Sequence, residues 1–358
     1  MCFVDLEKAF DRVPRGLLWR VLREYGVTGH LIQAVRSLYD RCQSLVRIAG
    51  SKSDSFPVRV GLRQGCPLSP VLFIIFMDRI SRRSQVVEGV RFGDLRIASL
   101  LFADDVVLLA SSCQDLQLSL DRFAAECEAA GMRISTSKSE CMVLSRKRVE
   151  CTLRVRDQIL PQVEEFKYLG VLFTSEGRRE REIDRRIGAA SAVMRALYGS
   201  VVVKRELSRR AKLSIYQSIF APTLTYGHEL WVVTERTRSR VQAAEMSFLR
   251  RVAGLSLRDR VRSSAIREDL RVEPLLLSTE RSQMKWLRYL IRMPPGCLPG
   301  EVFRARATGR TPRGISRTRC RDYVFRLAWE RFGVSQEEMG DVAGERKAWG
   351  CLLRLLPM

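Results

Sequence analysis

Residues 97–110 read Ile97-Ala98-Ser99-Leu100-Leu101-Phe102-Ala103-Asp104-Asp105-Val106-Val107-Leu108-Leu109-Ala110. Two apolar runs, Ile97 to Ala103 and Val106 to Ala110, flank a pair of adjacent carboxylates. A two-residue gap between strand-like runs predicts a β-hairpin, although Asp-Asp lacks the glycine that primed turns favour. Adjacent aspartates repel each other, and apolar flanks make ionising both costly. A divalent cation would resolve that conflict. Outward from this pair, Cys2-Phe3-Val4 forms another apolar strand running into Asp5, and the segment continues Leu6-Glu7-Lys8-Ala9-Phe10-Asp11. A third block, Gly61-Leu62-Arg63-Gln64-Gly65-Cys66-Pro67-Leu68-Ser69-Pro70, is a loop entering a buried helix over Pro70–Ile80. Two cations roughly 4 Å apart can stabilise both oxygens of an in-line phosphoryl displacement. Magnesium keeps several waters, so a few carboxylates and a triphosphate suffice to hold it.

The rest of the first half alternates strand-like and helix-like stretches. Arg15–Tyr25 and Leu31–Tyr39 have helical apolar spacing, broken by Gly26 and Gly29. Leu45–Ile48 and Phe56–Val60 read as strands joined by a polar turn. Leu116–Ala130 reads as an amphipathic helix stopped by Gly131, and Cys141–Leu144 and Phe166–Phe173 read as strands. After Gly177 the pattern is helical: Glu182–Tyr198, Arg209–Phe220, Arg238–Ala253 and Leu276–Arg292. Pro294-Pro295-Gly296 and Pro299-Gly300 read as a linker. An extended basic arm follows, and Tyr323–Phe332 resumes as a helix.

Composition narrows the function. The 358 residues carry 62 Lys+Arg against 40 Asp+Glu, a formal charge of +22, with 46% hydrophobic content. That content suffices for real cores and excludes general disorder. The excess is uneven: residues 1–150 carry a net +5 and residues 151–358 a net +17. Arginines outnumber lysines 53 to nine, and the arginine fork suits a polyanionic partner such as nucleic acid. The longest apolar run, Pro70 to Met77, is far shorter than the roughly 20 residues a bilayer span needs. No membrane partner is expected, and Met1–Asp5 has no signal-peptide pattern. Ten cysteines without a C-x-x-C pair, and only His30 and His228, argue against structural zinc and for reduced, intracellular thiols.

In this order the blocks resemble the reverse transcriptase of LINE-type (non-LTR) retrotransposons. Asp5–Asp11 resembles the family's motif A, Arg63–Pro70 motif B, and Phe102–Asp105 the F/Y-x-D-D box of motif C. Gly131–Ser135 with Lys138 resembles motif D, though Ser135 and Ser139 stand where Asn and Thr are common. Phe166, Lys167, Tyr168, Leu169 and Gly170 resemble motif E, the primer grip. The resemblance implies an α+β fold: a right-hand polymerase palm of antiparallel sheet backed by helices, then an all-helical thumb and connector. It places the palm at 1–175, the thumb and connector at 176–293, and a basic arm with a C-terminal helix at 294–358.

The resemblance further implies RNA-directed DNA polymerisation with two Mg²⁺ ions, or Mn²⁺, held by Asp5 and Asp104 with Asp105 less tightly engaged. Lys138 would protonate pyrophosphate. Leu6 would offer a backbone carbonyl, Phe10 would gate the sugar, and Arg63, Gln64 and Gly65 would contact the nascent base pair. The implied partners are an RNA template, a DNA primer or target, and deoxynucleoside triphosphates, in the nucleus; nothing in the sequence indicates an oligomeric state. Arg304, Arg306, Arg310, Arg313, Arg317, Arg319 and Arg321 would bind nucleic-acid phosphates. The family's fingers and endonuclease lie upstream of motif A, so these residues read as a fragment with impaired polymerisation. The competing readings are a non-catalytic nucleic-acid-binding remnant, a group II intron maturase relative, and a metal-dependent nuclease. The nuclease reading leaves Gln64-Gly65 and the primer-grip block unexplained.

Overall fold

The computed structural model describes residues 1–145, 149–177, 179–197, 199, 207–305 and 319–355. The fold is α+β and divides into two compact units, Met1–Phe166 and Lys167–Met358.

In the first unit the principal elements are β1 (Cys2–Val4), α1 (Arg15–Glu24), α2 (Gly29–Tyr39), α3 (Ser69–Ser84), β2 (Ser99–Phe102), β3 (Asp105–Leu108), α4 (Cys113–Ala129) and β4 (Glu140–Cys141). The strands make one antiparallel sheet in the order β4-β1-β3-β2. Strand β1 has no polar residue because it is central: Cys2, Phe3 and Val4 are all buried. The two-residue period sorts its side chains. Cys2 and Val4, with Val106 and Leu108 of β3, enter the core formed with Phe73, Phe76, Met77 and Ile80 of α3 and Leu116, Leu120 and Phe123 of α4. On the other face Phe3 stacks on Phe166, with ring centroids 3.8 Å apart.

Several local expectations shift. The β2–β3 hairpin closes one residue earlier than the Asp-Asp gap suggests: Phe102 pairs with Asp105, so the loop is Ala103-Asp104. Ala103 takes the left-handed conformation (φ 52°) that glycine would otherwise supply. The expected 45–60 hairpin exists as two exposed two-residue ladders, Gln43–Ser44 with Phe56–Pro57 and Arg47–Ile48 with Ser51–Lys52. Cys113 and Cys151 form a disulfide, which corrects the expectation of wholly reduced thiols. Cys113 opens α4, and its Cα lies 5.6 Å from that of Cys151, the spacing a bridge needs. The other eight cysteines are free.

A hairpin of β5 (Glu165–Tyr168) and β6 (Val171–Thr174) stands where the sequence suggests one strand, and the second unit starts within it at Lys167. Its turn is Leu169-Gly170, with φ of 47° and 80°; the apolar Leu169 hides the turn from a pattern reading. Five longer helices follow: α5 (Glu180–Leu197), α6 (Glu235–Ala253), α7 (Leu275–Ile291), α8 (Cys320–Phe332) and α9 (Arg346–Leu355). Pro299-Gly300 lies not in a linker but in the first turn of a short helix, Leu298–Arg304, where proline's missing N–H costs nothing. One core gathers Phe220, Trp231, Phe248 and Leu249; a second gathers Met284, Leu287, Val324, Leu327 and Trp349. Among the described residues no helix is long and apolar enough to cross a membrane.

Candidate active site

Antiparallel pairing of β1 with β3 puts Val4 opposite Val106, so Asp5 leaves β1 where Asp105 enters β3. Asp104 occupies the adjoining turn. The three carboxylates are thus gathered at one end of the sheet, on segments a hundred residues apart in sequence. Their charges act on one another: partial desolvation, then Asp104, then Asp5, hold the Asp105 carboxyl above the ordinary aspartate range.

Residues 133–139 stitch this edge from outside. Leu6 forms an antiparallel bridge with Ile134, Glu7 N donates to Arg133 O (2.9 Å), and Ser135 N donates to Asp5 O (2.9 Å). The fully buried Ser139 hydroxyl accepts from Asp5 N (3.1 Å) and donates to Ser135 O (2.7 Å). The segment carries Lys138 to the site, its Nζ 3.8 Å from Asp5 Oδ1. That Oδ1 is buried and accepts no hydrogen bond. A buried carboxylate oxygen without a hydrogen bond, near one exposed ammonium and two further aspartates, fits a cation. Among the described residues no group of three or more His, Cys, Asp or Glu side chains is placed to hold a metal ion by itself. Magnesium held partly by substrate phosphates and water needs none.

The loop carrying Gln64 docks on the short helix Ala9–Arg12. Leu62 N donates to Phe10 O (2.8 Å), and Gln64 Nε2 donates to Asp11 Oδ1 (3.2 Å). Gly61 is indispensable: at φ 80°, a Cβ there would lie 2.6 Å from Asp11 O. Gly65, also at positive φ (78°), faces open space. The half-buried Phe10 ring stacks on Phe73, centroids 4.3 Å apart. Arg63 donates to Leu38 O (3.1 Å), and Ser69 Oγ donates to Arg63 O (2.7 Å). Sequence reasoning missed Arg15, whose guanidinium ties the loop down by donating to Gly61 O (2.9 Å) and Val58 O (2.8 Å) while covering the Tyr39 ring. It also missed the Ser139 hydroxyl.

Of the residues resembling a primer grip, Phe166 belongs to the first unit and Lys167, Tyr168, Leu169 and Gly170 to the second. Within the second unit the Leu169-Gly170 turn is clamped. Tyr226 Oη donates to Leu169 O (2.9 Å), while Arg185 Nη2 (2.7 Å) and Arg186 donate to Gly170 O. Both arginines pair with the buried Glu182, whose carboxyl is held below its ordinary range: burial opposes ionisation, but Arg185, the Leu172 amide and Arg186 outweigh it. Of the basic arm, Arg304 donates to Met293 O (2.8 Å), just past the C-terminal end of α7, and Arg321 donates to Arg304 O (2.9 Å). Arg319 precedes α8 as its N-cap. Arg306, Arg310, Arg313 and Arg317 lie outside the described residues.

Comparison with known proteins agrees with this geometry. Residues 1–173 match the profile of the reverse transcriptase (RNA-dependent DNA polymerase) family. The RNA-directed DNA polymerase from mobile element jockey of Drosophila melanogaster is 26% identical over 320 residues, 87% of this chain and 34% of that protein. The Pol polyprotein of retrotransposable element R2DM, from the same species, is 30% identical over 192 residues, 49% of this chain and 18% of its own length. The corresponding R2 polyprotein of Nasonia vitripennis is 30% identical over 188 residues, 49% of this chain and 18% of its own length. The chain thus spans about a third of the jockey polymerase and under a fifth of the R2 polyproteins. The carboxylate-bearing hairpin, the docked glutamine loop and the family match all fall within residues 1–173, and the chain is similar there to the RNA-directed DNA polymerases of non-LTR retrotransposons.

Proposed function

We propose that the chain carries the palm of an RNA-directed DNA polymerase, in which a primer 3′-hydroxyl attacks a deoxynucleoside triphosphate opposite an RNA template. The observation that supports this best is the convergence of Asp5 with Asp104 and Asp105, leaving Asp5 Oδ1 buried and without a hydrogen bond. Asp5 and Asp104, with Asp105 beside them, are the residues that would hold Mg²⁺ or Mn²⁺. When bound, the metal supplies positive charge to the attacking and leaving oxygens of the displacement.

The chain's own residues do the rest. Lys138 is largely exposed, so its ammonium is free to exchange Asp5 for a polyphosphate and to hold a proton at Nζ for the departing pyrophosphate. Leu6 offers its carbonyl at the same edge. The Phe10 ring, backed by Phe73, limits room beneath the incoming sugar and disfavours a ribose 2′-hydroxyl. Arg63, Gln64 and Gly65 flank the nascent base pair, with Gly65 leaving its side of the backbone open. Residues 166–170 hold the primer end. On this reading 1–175 form the palm, 176–293 the thumb and connector, and 294–358 a basic arm and terminal helix acting on nucleic acid in the nucleus.

Primer extension on an RNA template with Mg²⁺ and deoxynucleoside triphosphates tests the proposal, beside Asp104→Ala. Extension that is lost in the variant by roughly 10²-fold or more is the expected result. Extension equal in both proteins, or none from either together with no metal-dependent triphosphate binding, would overturn it.

A further inference from the structure

A second charged site lies in the helical unit, between α7 and α9. Helix α7 carries Lys285, Arg288 and Tyr289, with Arg292 as its C-cap, spaced to fall on one face. Helix α9 adds Arg346 and the buried Trp349. These residues line a cavity of about 320 Å³, at the small end of ligand-sized clefts.

Charge balance sets this cavity apart. Elsewhere in the unit three arginines are paired with buried carboxylates, Arg267 with Glu245 (2.6 Å), Arg186 with Glu182 (2.6 Å) and Arg331 with Glu280 (2.8 Å), while Arg250 donates to Val261 O (3.0 Å). Among the described residues no carboxylate lines the α7–α9 cavity and none of its four cations is ion-paired. Arg288 Nε donates to Ala343 O (2.9 Å), which fixes the guanidinium, while its Nη2 is buried without a hydrogen-bond partner. Desolvation, then Arg292 and Arg346, lower this guanidinium's affinity for its proton. A fixed, unsatisfied donor among like charges is unfavourable until an anion with several acceptor oxygens occupies the site. At the rim, Tyr289 is 65% exposed, a largely uncovered aromatic side chain.

We propose that this cavity binds the phosphate backbone of a single-stranded polynucleotide, with Arg288, Arg292, Arg346 and Lys285 on phosphate oxygens and an adjacent base stacked on Tyr289. Only the choice of a polynucleotide rests on the polymerase reading; the charge pattern itself calls for phosphate.

The test measures fluorescence anisotropy of labelled oligo(U) and oligo(dT) with the full chain across a salt titration, in EDTA and without nucleotides. Catalysis then plays no part, so failure here is separable from failure of the polymerase reading. Arg292→Glu/Arg346→Glu changes two exposed residues and is expected to weaken binding roughly tenfold or more, flattening the salt slope by about 0.7 per lost phosphate contact. Tyr289→Ala is expected to weaken it about tenfold with the slope unchanged. Arg210→Glu/Arg236→Glu makes the same net-charge change on exposed positions elsewhere in the unit and should shift affinity far less. Equal losses in the two double variants would mean a diffuse field, and no loss in the first would empty the cavity of its role; either overturns the proposal. The stronger of the two oligonucleotide arms identifies RNA or DNA as the ligand.

Discussion

At the scale of single residues, the candidate site is a set of charges placed against their own electrostatic preference. The Asp105 carboxyl is raised by desolvation, then Asp104, then Asp5, so the folded chain binds its proton more tightly than the unfolded chain does. Stability from that proton is fully present below the ordinary aspartate pKa and is lost as pH rises through the folded value. Asp105→Asn is therefore expected to melt higher than the parent at neutral pH, the gap closing toward pH 3 and shrinking when Mg²⁺ is added to the parent. Thermal melts at several pH values check this; a variant that melts lower at pH 7 would mean that Asp105 does not carry the repulsion. The three aspartates were legible in the sequence because each ends or opens an apolar run. Ser139 was visible only as a departure from a motif. A hydroxyl that bonds an amide 134 positions away leaves no local signature.

At the scale of elements, the site depends on an edge being held from outside the sheet. Segment 133–139 contributes no long strand, yet it satisfies both the Asp5 carbonyl and the Asp5 amide. Ser139→Ala leaves the Asp5 amide without its partner at a buried position, a loss of about 1–3 kcal/mol. Denaturant melts should register that loss, and Ser139→Thr, which keeps the hydroxyl, should recover most of it; equal losses from both would show that packing, not the hydroxyl, matters. Sequence periodicity located the long helices other than α9 to within a few residues because each has a wide apolar stripe; that reading did not extend to Arg346–Leu355. Both turns beside functional segments were misread for one reason. Ala103 and Leu169 adopt left-handed backbone that their residue types do not advertise, and the surrounding contacts hold them there. The α7–α9 cavity was illegible because its residues come from helices more than fifty positions apart. The counts of basic residues register them without showing that they meet.

For the whole molecule, a formal charge of +22 sits on a chain whose sheet ends in a bare strand. β2 is that last strand, and Leu100, Leu101 and Phe102 on it are 36%, 37% and 60% exposed. Unprotected apolar edges invite a strand from another molecule, and natural sheets deter this with charges placed on the edge. Here the deterrent is global: like-charged chains repel at low ionic strength. That repulsion reaches only about 8 Å at physiological salt and roughly 3 Å at 1 M. Colloidal behaviour should therefore run opposite to the habit of adding salt to disperse basic, nucleic-acid-binding proteins. Light scattering of the nucleic-acid-free chain is expected to rise with sodium chloride, and Leu101→Lys is expected to suppress the rise. Scattering that falls with salt, or is indifferent to the lysine, would show that the edge is not what makes these molecules meet. The strand that delivers Asp104 to the candidate site thus also sets the ionic conditions under which the protein stays dispersed.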